Sequence, residues 1–201
     1  MTGRAERGEY AKTAQTRERI LDAAMQAFGQ HGTRGSTLGA IAEQVGMSQA
    51  GLLHHFGSKT GLLLAVLDRF DREESPDPPP RTVADGVAYV RDELARGAGR
   101  PGLFQLHVTL SAEATDPDHP AHDHFVERYD RVVEEFRSAV AGPPGQPALA
   151  DGVDATALAH LVVAAMDGLQ LQKLLNDDVD VEASIDLLLT ALVTAYGARP
   201  D

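Results

Sequence analysis

The sequence contains no cysteine. Disulfides, thiolate nucleophiles and Cys-ligated zinc are thereby excluded, and a reducing compartment, the cytoplasm, is the expected location. No stretch approaches the roughly 20 apolar residues of a membrane-spanning helix. The opening, from Met1 to Ile20, has no apolar core of the kind a signal peptide carries. Strict polar–apolar alternation, the mark of a half-buried strand, is missing too. So are a phosphate-binding Gly-x-x-x-x-Gly-Lys loop, a Gly-x-Ser-x-Gly turn and a His-Glu-x-x-His helix, and neither enzymatic activity nor a cofactor is expected.

Positive charge is also scarce, with 18 Lys and Arg against 30 Asp and Glu and a net charge of -12. Taken alone, this balance disfavours nucleic acid, because neutralising phosphates supplies most of the binding free energy. The distribution of the charge points the other way. Residues 1–60 hold seven basic and five acidic side chains, whereas the remainder holds eleven and 25. Such asymmetry marks a polyanion-facing end and a solvated body that DNA repels.

What is present is helical periodicity. Apolar residues recur at spacings of three and four nearly everywhere, so the fold class is all-α, with about nine helices. A flexible N-terminal arm is expected over residues 1–15, followed by a helix carrying Ile20, Ala23, Ala24, Ala27 and Phe28 that Gly32 ends. Thr37 can cap a second helix through Gln44, Ser48 a third through Phe56, and Ser58 a fourth. After a Pro-rich connection at Glu73 to Arg81, helices follow at Val83 to Arg96 and Leu103 to Ala114. A seventh is capped by Asp118 with Pro120 in its first turn, and the last two run Ala155 to Asn176 and Val181 to Tyr196. The expected division is a helix-turn-helix unit at 16–59 and a second helical unit at 60–201.

The segment Thr37 to Phe56 carries the chemistry. Two short helices crossing at close range need a small residue at the crossing, supplied by Ala42, and a turn residue that tolerates positive φ, supplied by Gly46. Ile41, Val45, Met47, Leu52 and Phe56 would fix the pair to the first helix. Ser48 starts the helix whose first residues can enter a major groove. An ordinary helical hairpin could share these spacings, but the flanks Thr16-Arg17-Glu18-Arg19-Ile20-Leu21, Phe28-Gly29-Gln30-His31-Gly32 and His55-Phe56-Gly57-Ser58-Lys59 extend the pattern.

From about residue 16 to 64 the sequence resembles the TetR family of regulators. The resemblance implies a homodimer with one recognition helix per subunit in successive major grooves of a roughly palindromic DNA operator, and a repressor released by a small-molecule effector. It assigns Gln49, Ala50 and Gly51 to base edges or the groove, and Thr37, Ser48, His55 and Lys59 to phosphates. Three features depart from the family pattern. Leu53 stands where a phosphate-binding Tyr is usual, Ala50 and Gly51 offer few polar atoms, and Gly39 gives the second helix no base-reading side chain.

In the acidic remainder, Met166-Asp167-Gly168-Leu169-Gln170-Leu171-Gln172-Lys173-Leu174-Leu175 resembles the C-terminal domain of BetI-type members, with Lys173 where an aromatic is common. Helices eight and nine are apolar over more of their circumference than one core needs, which points to a four-helix dimer interface. Tyr89, Phe104, His107, Phe125, Tyr129 and Met166 form either the wall of a ligand pocket or plain core. Asp116 to His124 packs three imidazoles and three carboxylates into nine residues. No metal is expected there, because only His119 and His122 share a helical face and Asp118 serves as a cap.

Overall fold

A computed structural model describes residues 2–74, 82–98, 101–141, 149–150 and 152–196. The Pro-rich connections at 75–81 and 142–148 lie outside the described residues. Among the described residues the regular structure is helical: α1 Thr2–Gly35, α2 Leu38–Gln44, α3 Gln49–Phe56, α4 Lys59–Glu74, α5 Val83–Ala98, α6 Pro101–Glu113, α7 His122–Ala141, α8 Ala155–Leu175 and α9 Val181–Tyr196. None of these helices is long and apolar enough to cross a membrane.

The chain forms two compact units, one of residues 1–72 and 105–122, the other of 73–104 and 123–201. The division passes through α4 and α6. Residues 60–72 and 105–122 group with the helix-turn-helix in the first of these units. Leu62, Leu63, Val66, Leu67 and Phe70 of α4, with Leu106 and Leu110 of α6, are all buried.

In the first unit α1 begins at Thr2 and takes in residues 2–15, the stretch expected to form an N-terminal arm. Ala, Glu, Arg, Lys and Gln dominate that stretch, and all propagate a helix cheaply once the buried turns around Ile20 have nucleated it. Gly32 interrupts α1 at φ 66° and ψ -178°, a conformation that costs glycine no Cβ clash. Immediately beyond the kink, Thr33 donates to Glu113 Oε2 twice, from its amide at 2.9 Å and its hydroxyl at 2.7 Å. Ser36 is buried, and its hydroxyl lies 2.9 Å from the Ala27 carbonyl oxygen and 2.8 Å from that of Gly32.

The imidazole-rich connection after α6 serves the same corner. The amide of Ala121 donates to His119 Nδ1 at 3.2 Å, which leaves the ring proton on Nε2, 3.0 Å from Thr33 Oγ1. His122 Nδ1 lies 2.8 Å from the Ala114 carbonyl oxygen. This wiring corrects the expected start of the seventh helix. Asp118 is not its cap: the Asp118 amide donates to Asp116 Oδ1 at 3.1 Å in a local turn, His119 takes the Ala121 amide, and α7 begins only at His122.

The second unit is built from α5, α7, α8 and α9 with the first turn of α6. Its core gathers Val90, Phe104, Val133, Phe136, Ala159, Val162, Val163, Met166, Ile185 and Leu189. Each large side chain among them stabilises the fold by about 1.5–3 kcal/mol on burial. Thr82 and Asp85 cap α5 reciprocally, each amide donating to the other's side chain at 3.1 Å. Asp154 accepts from the Thr156 and Ala157 amides to start α8. Arg91 joins α5 to α9 through a 2.7 Å bond to Asp186.

Candidate nucleic-acid interface

The helix-turn-helix follows from three local decisions. Thr37 accepts the Ala40 amide at 3.2 Å and Ser48 accepts the Gly51 amide at 3.1 Å, so each short helix has its first turn closed by its own hydroxyl cap. Between them Gly46 adopts φ 73°, and the Met47 amide returns to the Ala42 carbonyl at 2.9 Å. Ile41, Ala42, Leu52 and Phe56 are buried on this frame, while Val45 and Met47 are only half-buried.

With the apolar faces turned inward, the start of α3 faces solvent. Ser48, Gln49 and Ala50 are exposed and Gly51 is half-buried. Thr37 is exposed at the start of α2, and His55 and Lys59 are half-buried at the junction of α3 and α4. The structure therefore brings all seven expected DNA-binding residues onto one helix-turn-helix and its exit. His54 is exposed, and its ring meets that of His55 edge-on at 6.0 Å. Leu53 is half-buried.

The Gln49 carboxamide lies beside Gly39: a Cβ at residue 39 would stand 3.4 Å from Gln49 Oε1, an ordinary van der Waals contact. Gly61 is required by close approach, because a Cβ there would overlap the Phe56 carbonyl oxygen.

Two arginines to which the sequence pattern gives no individual role hold the motif to α1. Arg17 donates to the His55 carbonyl at 3.3 Å with its guanidinium 4.4 Å above the Phe56 ring, and Arg19 donates to the Val45 carbonyl at 3.0 Å. Both carbonyls belong to helix C-terminal turns, where cations are favoured. Their place in the flank Thr16 to Leu21 marked them, but only the fold shows which carbonyls they reach. Arg69 of α4 also binds α1, through Asp22 at 2.6 Å and Glu18 at 3.3 Å.

The profile described as "Bacterial regulatory proteins, tetR family" matches residues 20–66, and that described as "BetI-type transcriptional repressor, C-terminal" matches residues 82–196. The chain belongs to the TetR family. Among relatives, the HTH-type transcriptional repressor AcnR of Corynebacterium glutamicum is 38% identical over 107 residues, 53% of this chain and 55% of AcnR. The uncharacterized HTH-type transcriptional regulator TtgW of Pseudomonas putida is 39% identical over 128 residues, 63% of this chain and 96% of TtgW. The chain spans about half the length of the AcnR relatives it matches. A TetR transcriptional regulator from Chloroflexus aurantiacus shares the fold at a TM-score of 0.78 and 22% identity, covering 94% of this chain and 100% of that one.

In this TetR-family chain the six expected ligand-wall residues divide between the units. Tyr89, Phe104, Phe125, Tyr129 and Met166 belong to the second, with Phe104 and Met166 in its core cluster and Tyr89 and Tyr129 packed against it. His107 belongs to the first, its ring stacked 5.9 Å from that of Phe70. The reason is positional: the units part between Phe104 and Gln105, within α6. Among the described residues no group of three or more His, Asp or Glu side chains is arranged to hold a metal. Both ring nitrogens of His119 are engaged within the protein.

Proposed function

We propose that the protein is a homodimeric repressor that binds a near-palindromic DNA operator and leaves it when a small molecule occupies the second unit. The observation that carries the DNA reading is the solvent-facing start of α3 on a buried, doubly capped helix-turn-helix. Gln49 reads a base edge, as its carboxamide can donate to and accept from adenine, and Ala50 and Gly51 allow close approach to the groove. Thr37 and Ser48 use their oxygens as caps and keep a hydroxyl proton for phosphate. His55 and Lys59 add phosphate contacts that fix register without reading sequence.

The dimer reading rests on α8 and α9. Leu161, Leu175 and Leu187 are 60%, 80% and 73% exposed, and Leu171, Leu174, Val193 and Tyr196 are exposed beside them in sequence. Apolar exposure on this scale over two consecutive helices marks an association surface. Pairing of α8 and α9 with their copies gives a four-helix interface and two recognition helices for two half-sites.

The test is an electrophoretic mobility shift with the DNA upstream of the protein's own gene and of any divergent neighbour. A shift that weakens steeply with salt, on a fragment containing a near-palindrome, is expected. Absence of any shift at low salt would sink the proposal.

A further inference from the structure

The buried face of α8 consists of Leu158, Ala159, Val162, Val163, Met166 and Gln170: five apolar side chains and one carboxamide. Gln170 is 8% exposed, and its Oε1 is fully enclosed with no hydrogen-bond partner. A carbonyl oxygen left in that state costs about 1–3 kcal/mol. Leucine, which occurs on both sides of Gln170, would fill the position without that cost. The cost has a rationale if the missing donor arrives from outside the chain.

The surroundings suit such a donor. Met166 lies one helical turn before Gln170 on the same face. Asp167 accepts the Tyr129 hydroxyl at 2.7 Å, which fixes α7 against α8 at this level, and the Phe125 ring lies 6.5 Å from that of Tyr129. The thioether of Met166 and, through the Tyr129–Asp167 bond, the aromatic face of α7 thus lie within a turn of α8 from the residue that carries the unsatisfied acceptor.

We propose that Gln170 is the hydrogen-bonding anchor for the effector, and that the effector is a neutral, largely apolar molecule presenting a hydroxyl or N–H to Gln170 Oε1. The proposal rests on the effector reading above and narrows its chemistry. A carbonyl oxygen can only accept, which calls for a donor. The one polar group on the buried face of α8 is uncharged, so a full charge brought against it would lose its hydration without compensation.

Phenol and toluene are the probes, differing in the hydroxyl, and are titrated calorimetrically into the full chain. Phenol is expected to bind more tightly by about tenfold or more, since toluene leaves the carbonyl unsatisfied. Gln170→Met, close in length and volume, is expected to abolish that preference and to melt at a higher temperature than wild type without probe. Equal affinity for the two probes in wild type, binding of neither, or a preference that survives in Gln170→Met would overturn the proposal. Should Gln170→Met not fold, the wild-type ratio decides alone. Operator binding is scored separately: loss of the DNA shift with phenol preference intact sinks the regulator reading, whereas an intact shift with no phenol preference sinks this one.

Discussion

The carboxylate of Glu113 occupies the space where a side chain at Gly32 would stand. Glu113 ends α6 and Gly32 kinks α1, so the contact joins the segment leading into the helix-turn-helix to the last turn of α6. Gly32→Ala meets two penalties, the positive φ and the displaced carboxylate with its two bonds from Thr33. We expect a loss of about 2–4 kcal/mol in urea-induced unfolding. Glu113→Gln keeps the shape and removes only the charge, so its loss should be smaller. Equal stability of Gly32→Ala and wild type would refute the packing described for this corner.

Because the Gln49 carboxamide lies beside Gly39, the two residues should act as one reading element. In binding assays with operator variants, Gln49→Ala is expected to flatten preference at one base position by about 1–3 kcal/mol. Lys59→Ala should instead weaken binding across all sequences and lower the salt slope by about one unit. Gly39→Leu, which pushes the carboxamide aside, should reproduce the Gln49→Ala phenotype although residue 39 need touch no base. A Gly39→Leu protein with wild-type base preference would separate the two residues.

Burial holds the Glu135 carboxyl above its usual value, against the lowering influence of Arg131 and Arg128. The folded protein therefore keeps this proton to higher pH than the unfolded chain does. Its contribution favours folding most below the carboxylate range and is lost as pH rises through it. Glu135→Gln should melt above wild type at pH 7, with the difference closing near pH 4. Thermal scans across that interval check this, and a gap that widens on acidification would give the opposite sign.

If α8 and α9 form the dimer interface, a charge at a strongly exposed apolar position on either helix must be costly. Leu161→Glu and Leu187→Glu are each expected to weaken self-association by about tenfold or more in sedimentation equilibrium, with helix content unchanged. Operator affinity should fall in parallel, since half-sites are then bound singly. Wild-type association in both variants would place the interface elsewhere.

Most of the helix-turn-helix is legible in the sequence. The hydroxyl caps at Thr37 and Ser48, the turn at Gly46 and, in the second unit, the bounds of α9 are local features, written in a few adjacent residues. What escaped was set by distance along the chain. Asp118 lost its expected capping place because α7 begins only at His122, after a turn held by His119, whose Nε2 lies against a threonine 86 positions away. The allegiance of residues 60–72 and 105–122 to the helix-turn-helix is a tertiary matter of the same kind. Gly39 was legible as an absence, but not as the neighbour of the Gln49 carboxamide.

Arg17 and Arg19 donate to backbone carbonyls at the ends of α3 and α2. If the helix-turn-helix binds DNA as proposed, a tally of basic residues in the first 60 positions overstates the counterions it would displace. Both guanidiniums keep their charge but are held against the protein's own backbone, so the salt dependence of operator binding should report fewer phosphate contacts than the seven cations of residues 1–60 suggest. Neutralising either arginine would then disturb the orientation of a helix more than the electrostatic attraction between the two molecules.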